Sequence, residues 1–253
     1  MKQFIGLLKM EHRHLVTTYL VLAAMSLIAL YIAPLGIVYY YPHLVVEHVR
    51  FTILIPLAII IFISSIIMFV NSFKRDFAVK DIWLHSASPM YLLIGVKMVY
   101  QLIGLIVVEA CVFSGFFFIG DLVEGTFGEF TVFALFSAFV TIFFYMFLIV
   151  FVYYFIVLYL WGMRFVGKFS IVLMIGAMVV YFRVLEWIPT ESPLQVGKMD
   201  VSWLEKYMPN FGNDVDVTIV LSSLYIVEEL FLWSVLIVIF VGTSKWLERV
   251  LAR

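Results

Sequence analysis

The chain alternates between long apolar runs and short segments that carry most of its charged and turn-forming residues. The six apolar runs are Leu15–Tyr40, Phe51–Ser72, Met98–Gly120, Phe130–Trp161, Phe169–Ile188 and Val217–Ser244. Each run reaches the roughly 20 residues that an α-helix needs to cross a bilayer. No segment between the runs is long enough to form a soluble domain. The pattern therefore predicts an all-α membrane protein in which residues 1–253 form one domain with six transmembrane helices.

The distribution of lysine and arginine predicts how these helices are oriented. With a cytoplasmic N-terminus and six alternating helices, twelve of the sixteen basic residues lie in cytoplasmic segments. The remaining four, on the outer side, are Arg50, Arg183, Lys198 and Lys206. Short cytoplasmic loops are enriched in basic residues in the same way. We therefore expect a multi-pass protein of the cell (plasma) membrane with both termini in the cytoplasm.

Two of the polar segments have features of their own. Residues 1–14 can gather Phe4, Leu7 and Leu8 on one side of a helix and basic residues on the other, which predicts an interfacial helix. An ordinary juxtamembrane anchor and a helix that contacts a partner both fit this segment. Residues 189–216 contain three prolines and a short amphipathic stretch, and they predict a small extracellular cap between the fifth and sixth helices.

The fourth apolar run is too long for one straight crossing. Its 32 residues would extend about 48 Å as a helix, against a hydrocarbon core of about 30 Å. We therefore expect this helix to tilt or to project from the membrane. Only residues 162–168 separate it from the fifth run, and so short a connection predicts that the two helices are antiparallel neighbours.

The segment between the second and third runs has the most specific pattern in the chain. It reads FKRDFAVKDIWLHSASPMYLLIGVK over residues 73–97. Residues 73–85 can form a short amphipathic helix, two serines then interrupt the pattern, and Pro89 suits the first turn of the next helix. A helix of this kind between two spans either lies on the membrane or docks into a groove on another protein.

These residues resemble the ABC type-two transporter permease family. In that family, a cytoplasmic coupling helix between spans two and three runs from an acidic–basic pair, through a leucine-rich helix, to a proline and then a lysine. The matching positions in this chain are Arg75, Asp76, Ile82, Trp83, Leu84, Pro89 and Lys97. The chain departs from the family in having Asp76 where glutamate is usual and Trp83 within the leucine pair.

The resemblance implies that the chain is the membrane subunit of an ATP-driven exporter, with residues 73–88 as its coupling helix. The residues expected to couple it to a separate ABC ATPase subunit are Arg75, Asp76, Ile82, Trp83 and Leu84. The chain has no GxxxxGK[ST] sequence to hold nucleotide phosphates. ATP and Mg²⁺ would therefore be bound by that partner, with no cofactor in this chain. A second permease copy, identical or related, would complete the pathway within membrane lipid, and no nucleic-acid partner is expected.

Besides Glu186, next to the outer end of the fifth run, three glutamates fall within apolar runs. They are Glu109, in the third run, and Glu228 and Glu229, in the sixth. Because a charged side chain at the centre of a bilayer costs several kcal/mol, all three are candidates for the transport pathway. A structural role fits equally well, since only fifteen residues separate the pair from Lys245 and the pair can therefore lie near the outer surface.

An intramembrane enzyme of the CAAX-protease type is an alternative from a different functional class. Such enzymes need an arginine shortly after a glutamate pair and histidines in later spans. Here the pair is followed by LFLWSVLIV, and the five histidines lie in loops or at the ends of runs. We therefore expect no catalytic residue and no metal ligand. The single cysteine, Cys111, excludes an intrachain disulfide. A secondary transporter or a structural membrane protein is a third hypothesis.

The composition also indicates the class of cargo. The chain contains 26 Phe, 14 Tyr and 12 Met, and few ionisable residues within its apolar runs. A pathway with such a lining could not compensate the desolvation of a small, highly charged solute. It suits a hydrophobic or amphipathic cargo, because methionine and aromatic surfaces adapt to variable shapes. A peptide is our first choice, and a lipid or a drug is the alternative.

Overall fold

The computed structural model of this chain is nearly all helical and describes residues 2–78, 89–115, 127–187, 197–199 and 224–251. The helices are α1 (Lys2–Leu27), a π-helical segment (Ile28–Ile32), α2 (Ala33–Tyr40), α3 (Val46–Ala78), α4 (Met90–Phe113), α5 (Phe127–Val166), a 3-10 turn (Gly167–Phe169), α6 (Ser170–Trp187) and α7 (Ile226–Leu251). Two short strands, β1 (Lys198–Met199) and β2 (Leu224–Tyr225), pair in antiparallel register, with Lys198 opposite Tyr225.

Five helical segments are long and apolar enough to cross a membrane. They are Gln3–Tyr40, Val46–Phe77, Met90–Phe113, Ala134–Val180 and Leu230–Leu251. The predicted all-α class is therefore confirmed for the part of the chain that the structure describes, and the fold is compatible with a multi-pass membrane protein. Most of the predicted extracellular cap and residues 79–88 of the predicted coupling helix lie outside the described residues.

The segment Ala134–Val180 contains two helices, α5 and α6, because the chain reverses direction at the 3-10 turn. The Ser170 hydroxyl donates a hydrogen bond to the Tyr159 carbonyl oxygen at 2.6 Å. Eleven residues of straight helix would separate these positions by about 16 Å, so the chain must turn back between them. Gly167 provides the turn with a φ of 56°, a conformation that side chains with a β-carbon rarely adopt. The predicted reversal after the fourth run is confirmed at this turn.

Helices α1, α3 and α4 pack side by side in one compact unit, together with the first part of α5. The contacts, in order along α1, join Glu11 to Ser72 and Lys97, Tyr19 to Ser65 and Gln101, Leu30 to Arg50, and Tyr31 to Ser114. Residue numbers rise along α1 and α4 and fall along α3 in this order. Helices α1 and α4 are therefore parallel to each other, and α3 is antiparallel to both.

The π-helical segment between α1 and α2 has a local cause. Pro34 has no N–H group, so it cannot donate to the Leu30 carbonyl one helical turn before it. Arg50 replaces the missing donor, because its Nε donates to the Leu30 oxygen at 3.0 Å. The Arg50 guanidinium also lies 5.6 Å from the centre of the Tyr31 ring. A basic residue that the sequence places at an outer helix end is thus buried against the neighbouring helix.

The second compact unit contains the later part of α5 together with α6, α7 and the first residues of α4. Tyr153 of α5 is fully buried, and its hydroxyl donates to Ser244 Oγ of α7 at 3.3 Å. Glu248 of α7 accepts a hydrogen bond from the backbone N–H of Met90 at 3.1 Å. A carboxylate at this point satisfies a free N–H of the first turn of α4 and complements the helix dipole.

The observed helices begin and end at different residues from most of the apolar runs. The last helix, α7, begins at Ile226, nine residues after the start of the predicted sixth run, with Leu224 and Tyr225 in β2. Residues 2–14 continue into α1 without a break, so no helix boundary separates the predicted interfacial helix from the first span. Helix α4 begins at Met90, eight residues before the predicted run, with Pro89 accepting hydrogen bonds from Leu92 and Leu93. The predicted role of Pro89 at the start of this helix is confirmed.

Candidate functional site

A buried cluster of charged and polar side chains lies where α1, α3 and α4 meet. Lys97 of α4 forms an ion pair with Glu11 of α1, through the lysine Nζ and the carboxylate Oε1. Ser72 of α3 donates to Glu11 Oε2 at 3.1 Å and accepts a hydrogen bond from Lys97 Nζ at 2.8 Å. Arg75 approaches Glu11 Oε1 from the rim at 3.4 Å. We call these four residues the Glu11–Lys97 cluster.

The burial of this cluster makes its charges mutually dependent. Glu11 is 1% exposed and Lys97 is 2% exposed, whereas the Arg75 side chain is 38% exposed. Removing a charge from water costs several kcal/mol, and the cost is offset only when a partner and hydrogen bonds are in place. Loss of either central charge would leave the other buried without its ion-pair partner. The cluster therefore holds the three helices in one fixed arrangement at this level.

The position of the cluster relates it to the predicted coupling segment. Ser72 and Arg75 lie within the last two turns of α3, and Lys97 lies in the second turn of α4. Residues 79–88, which lie outside the described part of the structure, connect these two helix ends along the chain. Glu11 extends the connection to α1.

The structure describes only some of the residues that are predicted to couple the chain to an ATPase. Arg75 belongs to the Glu11–Lys97 cluster. Asp76 is buried in the last turn of α3, at 5% exposure, which is not the exposed position that direct contact with a partner requires. Ile82, Trp83 and Leu84 lie outside the described residues. Their part in coupling stays a prediction.

A second polar layer lies deeper along the same three helices. The Tyr19 hydroxyl donates to the backbone carbonyl of Gln101 at 3.1 Å, also contacts the side-chain Oε1 of Gln101, and lies 3.5 Å from Ser65 Oγ. Gly104 permits this arrangement, because a β-carbon at that position would overlap the Tyr19 ring. Among the described residues, neither the buried Gln101 side-chain nitrogen nor the buried Tyr145 hydroxyl, which lies near Ser65, has a partner within hydrogen-bonding geometry.

Glu109 lies eight residues after Gln101 on α4, and its carboxyl group is buried. It is 6% exposed and interacts with the Thr141 side chain of α5, and its Oε2 has no hydrogen-bond partner among the residues that the structure describes. Together with Gln101, it places polar atoms on the inner face of α4 over about 12 Å of helix. This position inside the helix packing agrees with either role predicted for Glu109, in a pathway or in the packing.

The glutamate pair of the last helix occupies a different kind of position. Glu228 and Glu229 are the third and fourth residues of α7, and the apolar span of that helix begins directly after them, at Leu230. The backbone therefore places the pair at the start of the helix and not at its middle. Their side chains lie outside the described part of the structure. Among the residues that the structure describes, no three histidine, cysteine, aspartate or glutamate side chains are grouped closely enough to hold a metal ion.

The sequence pattern does not predict the contact between Glu11 and Lys97. Glu11 lies within the predicted interfacial helix of residues 1–14, and Lys97 directly precedes the apolar run that begins at Met98. Two opposite charges separated by 86 positions give no local signal of contact. The available signal was that Lys97 is followed by more than twenty largely apolar residues and preceded by MYLLIGV, so it lies inside an apolar stretch. A lysine in such a place requires an acidic partner.

Comparison of the chain with protein-family models, with curated proteins and with solved structures finds no match in any of the three. The fold and the buried cluster define a helical protein with several apolar helices of membrane-spanning length. The functional assignment beyond that class depends on the residues themselves.

Proposed function

We propose that this chain is the membrane-embedded permease subunit of an ATP-driven exporter of the ABC type. The observation that carries the proposal is the Glu11–Lys97 cluster. It joins the end of α3, the start of α4 and the first part of α1 at the two attachment points of the loop that resembles a coupling helix. A separate ATPase subunit would dock on residues 73–88 and bind ATP and Mg²⁺.

The cluster suits transmission of a mechanical displacement. An ATPase movement that shifts residues 79–88 acts on α3 and α4 together, since the loop connects them. Separating Glu11 from Lys97 would break a buried ion pair, at a cost of about 3–5 kcal/mol. The three helix ends therefore move together in preference to moving past one another. The displacement would reach the polar layer around Tyr19 and Gln101, which lies on the same helices.

The membrane arrangement in this proposal has six crossings. Helices α5 and α6, joined by the turn at Gly167, each cross once, which adds one crossing to the five apolar segments. The end that carries Lys97 and Arg75 faces the cytoplasm, together with both termini, in agreement with the bias of basic residues. Segment 189–216 is then extracellular.

The proposed complex contains two permease copies, because a pathway for a large amphipathic cargo needs a wall on each side. Helix α6 exposes Val172, Val179 and Val180 along its length in the described structure, which fits contact with lipid or with another helix. A hydrophobic or amphipathic peptide is the proposed cargo, with a lipid or a drug as the alternative. Glu109, Glu228 and Glu229 are the proposed polar contributors to the pathway or to its packing.

The test is reconstitution of the chain with its ATPase in proteoliposomes. ATP hydrolysis should rise when amphipathic peptides are added and should not respond to sugars or inorganic ions. Stimulation by lipids or drugs alone would replace the peptide with the alternative cargo. Stimulation by a polar solute alone would refute the cargo assignment. Purification of the chain as a proton-coupled transporter without an ATPase would refute the exporter assignment itself.

A variant of the cluster makes the test specific to coupling. In Lys97→Met, the ATPase should still bind but peptide should no longer stimulate hydrolysis, because Glu11 loses the partner that ties α1 to α4. The matched control is Lys168→Met, which removes an exposed lysine in the turn between α5 and α6. Equal stimulation in Lys97→Met and in the unmodified chain would show that the cluster has no part in transmission.

A further inference from the structure

A cavity of about 410 Å³ lies at one end of α5 and α7. Its lining residues are Trp161, Arg164, Phe165, Trp246, Arg249 and Val250. The first three belong to the last two turns of α5, and the other three belong to the last two turns of α7. None of them takes part in the Glu11–Lys97 cluster. The cavity is therefore a separate feature of the second compact unit.

Two arginines line this cavity and give it positive charge. Arg164 and Arg249 are both exposed, and in the described part of the chain no carboxylate lies within ion-pair distance of either. Glu248 is next to Arg249 in the sequence, but its carboxylate accepts the backbone N–H of Met90. Two guanidinium groups that line one cavity can bind a phosphate group through several charge-assisted hydrogen bonds.

Aromatic rings form the remaining walls of the cavity. The Trp161 and Trp246 rings lie 6.0 Å apart between centroids, and Phe165 lies 5.0 Å from Trp161. Tryptophan is enriched where a transmembrane helix leaves the hydrocarbon core, because its ring is apolar and its N–H is polar. Helix α7 supports this placement, since its apolar span Leu230–Leu251 ends at the cavity. The cavity therefore has charged groups and apolar walls at the level of lipid headgroups.

We propose that this cavity binds the phosphate group of an anionic phospholipid, with Arg164 and Arg249 on the phosphate and the aromatic rings against the glycerol and the upper acyl chain. Basic pockets between transmembrane helices recognise anionic headgroups in this way. The apolar walls favour a lipid over a free phosphate ion or an acidic segment of a partner protein, neither of which would use them. The inference does not depend on the exporter assignment.

The test measures retention of phosphatidylglycerol by the detergent-solubilised protein, using native mass spectrometry at increasing lipid concentration. The double variant Arg164→Gln/Arg249→Gln should weaken the tightest phosphatidylglycerol binding by about twentyfold, and each single variant by about fivefold. Phosphatidylcholine binding should change by less than about twofold, because its choline cation offsets the phosphate charge and weakens the attraction of both arginines. Because both arginines are exposed, the variants should fold normally, which far-ultraviolet circular dichroism and size-exclusion chromatography would check.

The matched control is Lys168→Gln, which removes an exposed positive charge one turn beyond α5 and outside the cavity. An equal loss of phosphatidylglycerol binding in Lys168→Gln would show that only general surface charge is involved and would overturn the proposal. Displacement of the lipid by inorganic phosphate at similar concentration would also overturn it, because the apolar walls would then contribute nothing. Unchanged lipid binding in the double variant, with loss of an acidic partner protein instead, would assign the cavity to that partner.

A second measurement locates the lipid at the aromatic walls. Phosphatidylglycerol brominated near the carbonyl end of its acyl chains should quench tryptophan fluorescence more strongly than the phosphatidylcholine analogue. The difference should disappear in Trp161→Phe/Trp246→Phe, which keeps both arginines. Persistence of the difference in that variant would place the lipid elsewhere on the protein.

Discussion

The Glu11–Lys97 pair gives the sharpest prediction about stability, because both charges are buried and each has few other partners. In Lys97→Met, Glu11 keeps the Ser72 hydrogen bond at 3.1 Å and the half-exposed Arg75 at 3.4 Å. An exposed ion pair contributes about 0–1 kcal/mol, so Arg75 compensates little. Breaking a buried pair by removing one partner costs about 3–5 kcal/mol. We expect a loss of about 3 kcal/mol in the free energy of unfolding for this variant.

Substitution of Glu11 should destabilise the protein at least as much as substitution of Lys97, and the double substitution should destabilise it less than either single one. In Glu11→Gln, Lys97 loses its ion pair with Glu11 and keeps the Ser72 oxygen at 2.8 Å, so we expect a loss of about 4 kcal/mol. In Glu11→Gln/Lys97→Met both charges of the pair are removed together, and we expect a loss of about 1–2 kcal/mol. The two single effects are therefore strongly non-additive, as expected for residues in contact.

The assay is equilibrium unfolding of the purified protein in mixed micelles with increasing sodium dodecyl sulfate, followed by tryptophan fluorescence. Lys9→Met is the control, because Lys9 is an exposed lysine on the same helix, and its substitution should change the free energy of unfolding by less than about 0.5 kcal/mol. A double variant that loses the sum of the two single losses would refute the ion pair. A Lys97→Met variant as stable as the unmodified chain would refute its burial.

Three further substitutions have distinct expected outcomes. Gly104→Ala should lower the free energy of unfolding by about 1–3 kcal/mol, because its β-carbon would overlap the Tyr19 ring. Gly6→Ala is the control, since Gly6 has open space around it, and it should be neutral or stabilising by up to about 1 kcal/mol. Equal results for the two variants in the same unfolding assay would contradict the packing of Tyr19 against Gly104. Glu109→Gln should be as stable as the unmodified chain or more stable, because it removes a buried ionisable group whose Oε2 has no hydrogen-bond partner, and a loss above about 2 kcal/mol would show that the carboxylate has a partner. Trp83→Ala should insert into membranes normally but bind the ATPase weakly or uncouple ATP hydrolysis from transport; normal binding and transport would place coupling elsewhere.

The apolar pattern is sufficient to predict the helices because length and hydropathy act locally. Runs of roughly 20 apolar residues predicted the helical class, and Pro89 predicted the start of α4. The short connection at residues 162–168 predicted the reversal that the Ser170–Tyr159 hydrogen bond confirms. Each of these features depends on neighbouring residues and on backbone chemistry alone.

The candidate site was less predictable because it depends on contacts between distant parts of the chain. Lys97 and Arg50 were read as helix-end charges, but the structure buries both against another helix. Lys97 contacts Glu11 and Ser72 on two other helices. Arg50 donates to the Leu30 carbonyl, which has no backbone donor one turn later because that position is Pro34. The contact of Arg50 could be anticipated in part from the sequence, since a proline inside a helix leaves the carbonyl four residues before it without its usual donor.

The central claim is that a separate ATPase acts on this chain through residues 73–88, and its most direct test is site-specific crosslinking in cells. Cys111 is the only cysteine, so Cys111→Ser gives a cysteine-free background into which Trp83→Cys or Tyr40→Cys is introduced. Tyr40 is a suitable control because it is exposed at the end of α2, at the far end of the first span from Glu11.

We expect a cysteine-reactive photo-crosslinker at position 83 to capture a nucleotide-binding subunit, with a yield that changes between ATP-bound and nucleotide-free conditions, and we expect no capture from position 40. Capture of no ATPase from position 83, or equal capture from both positions, would show that no ATPase acts on the chain through residues 73–88.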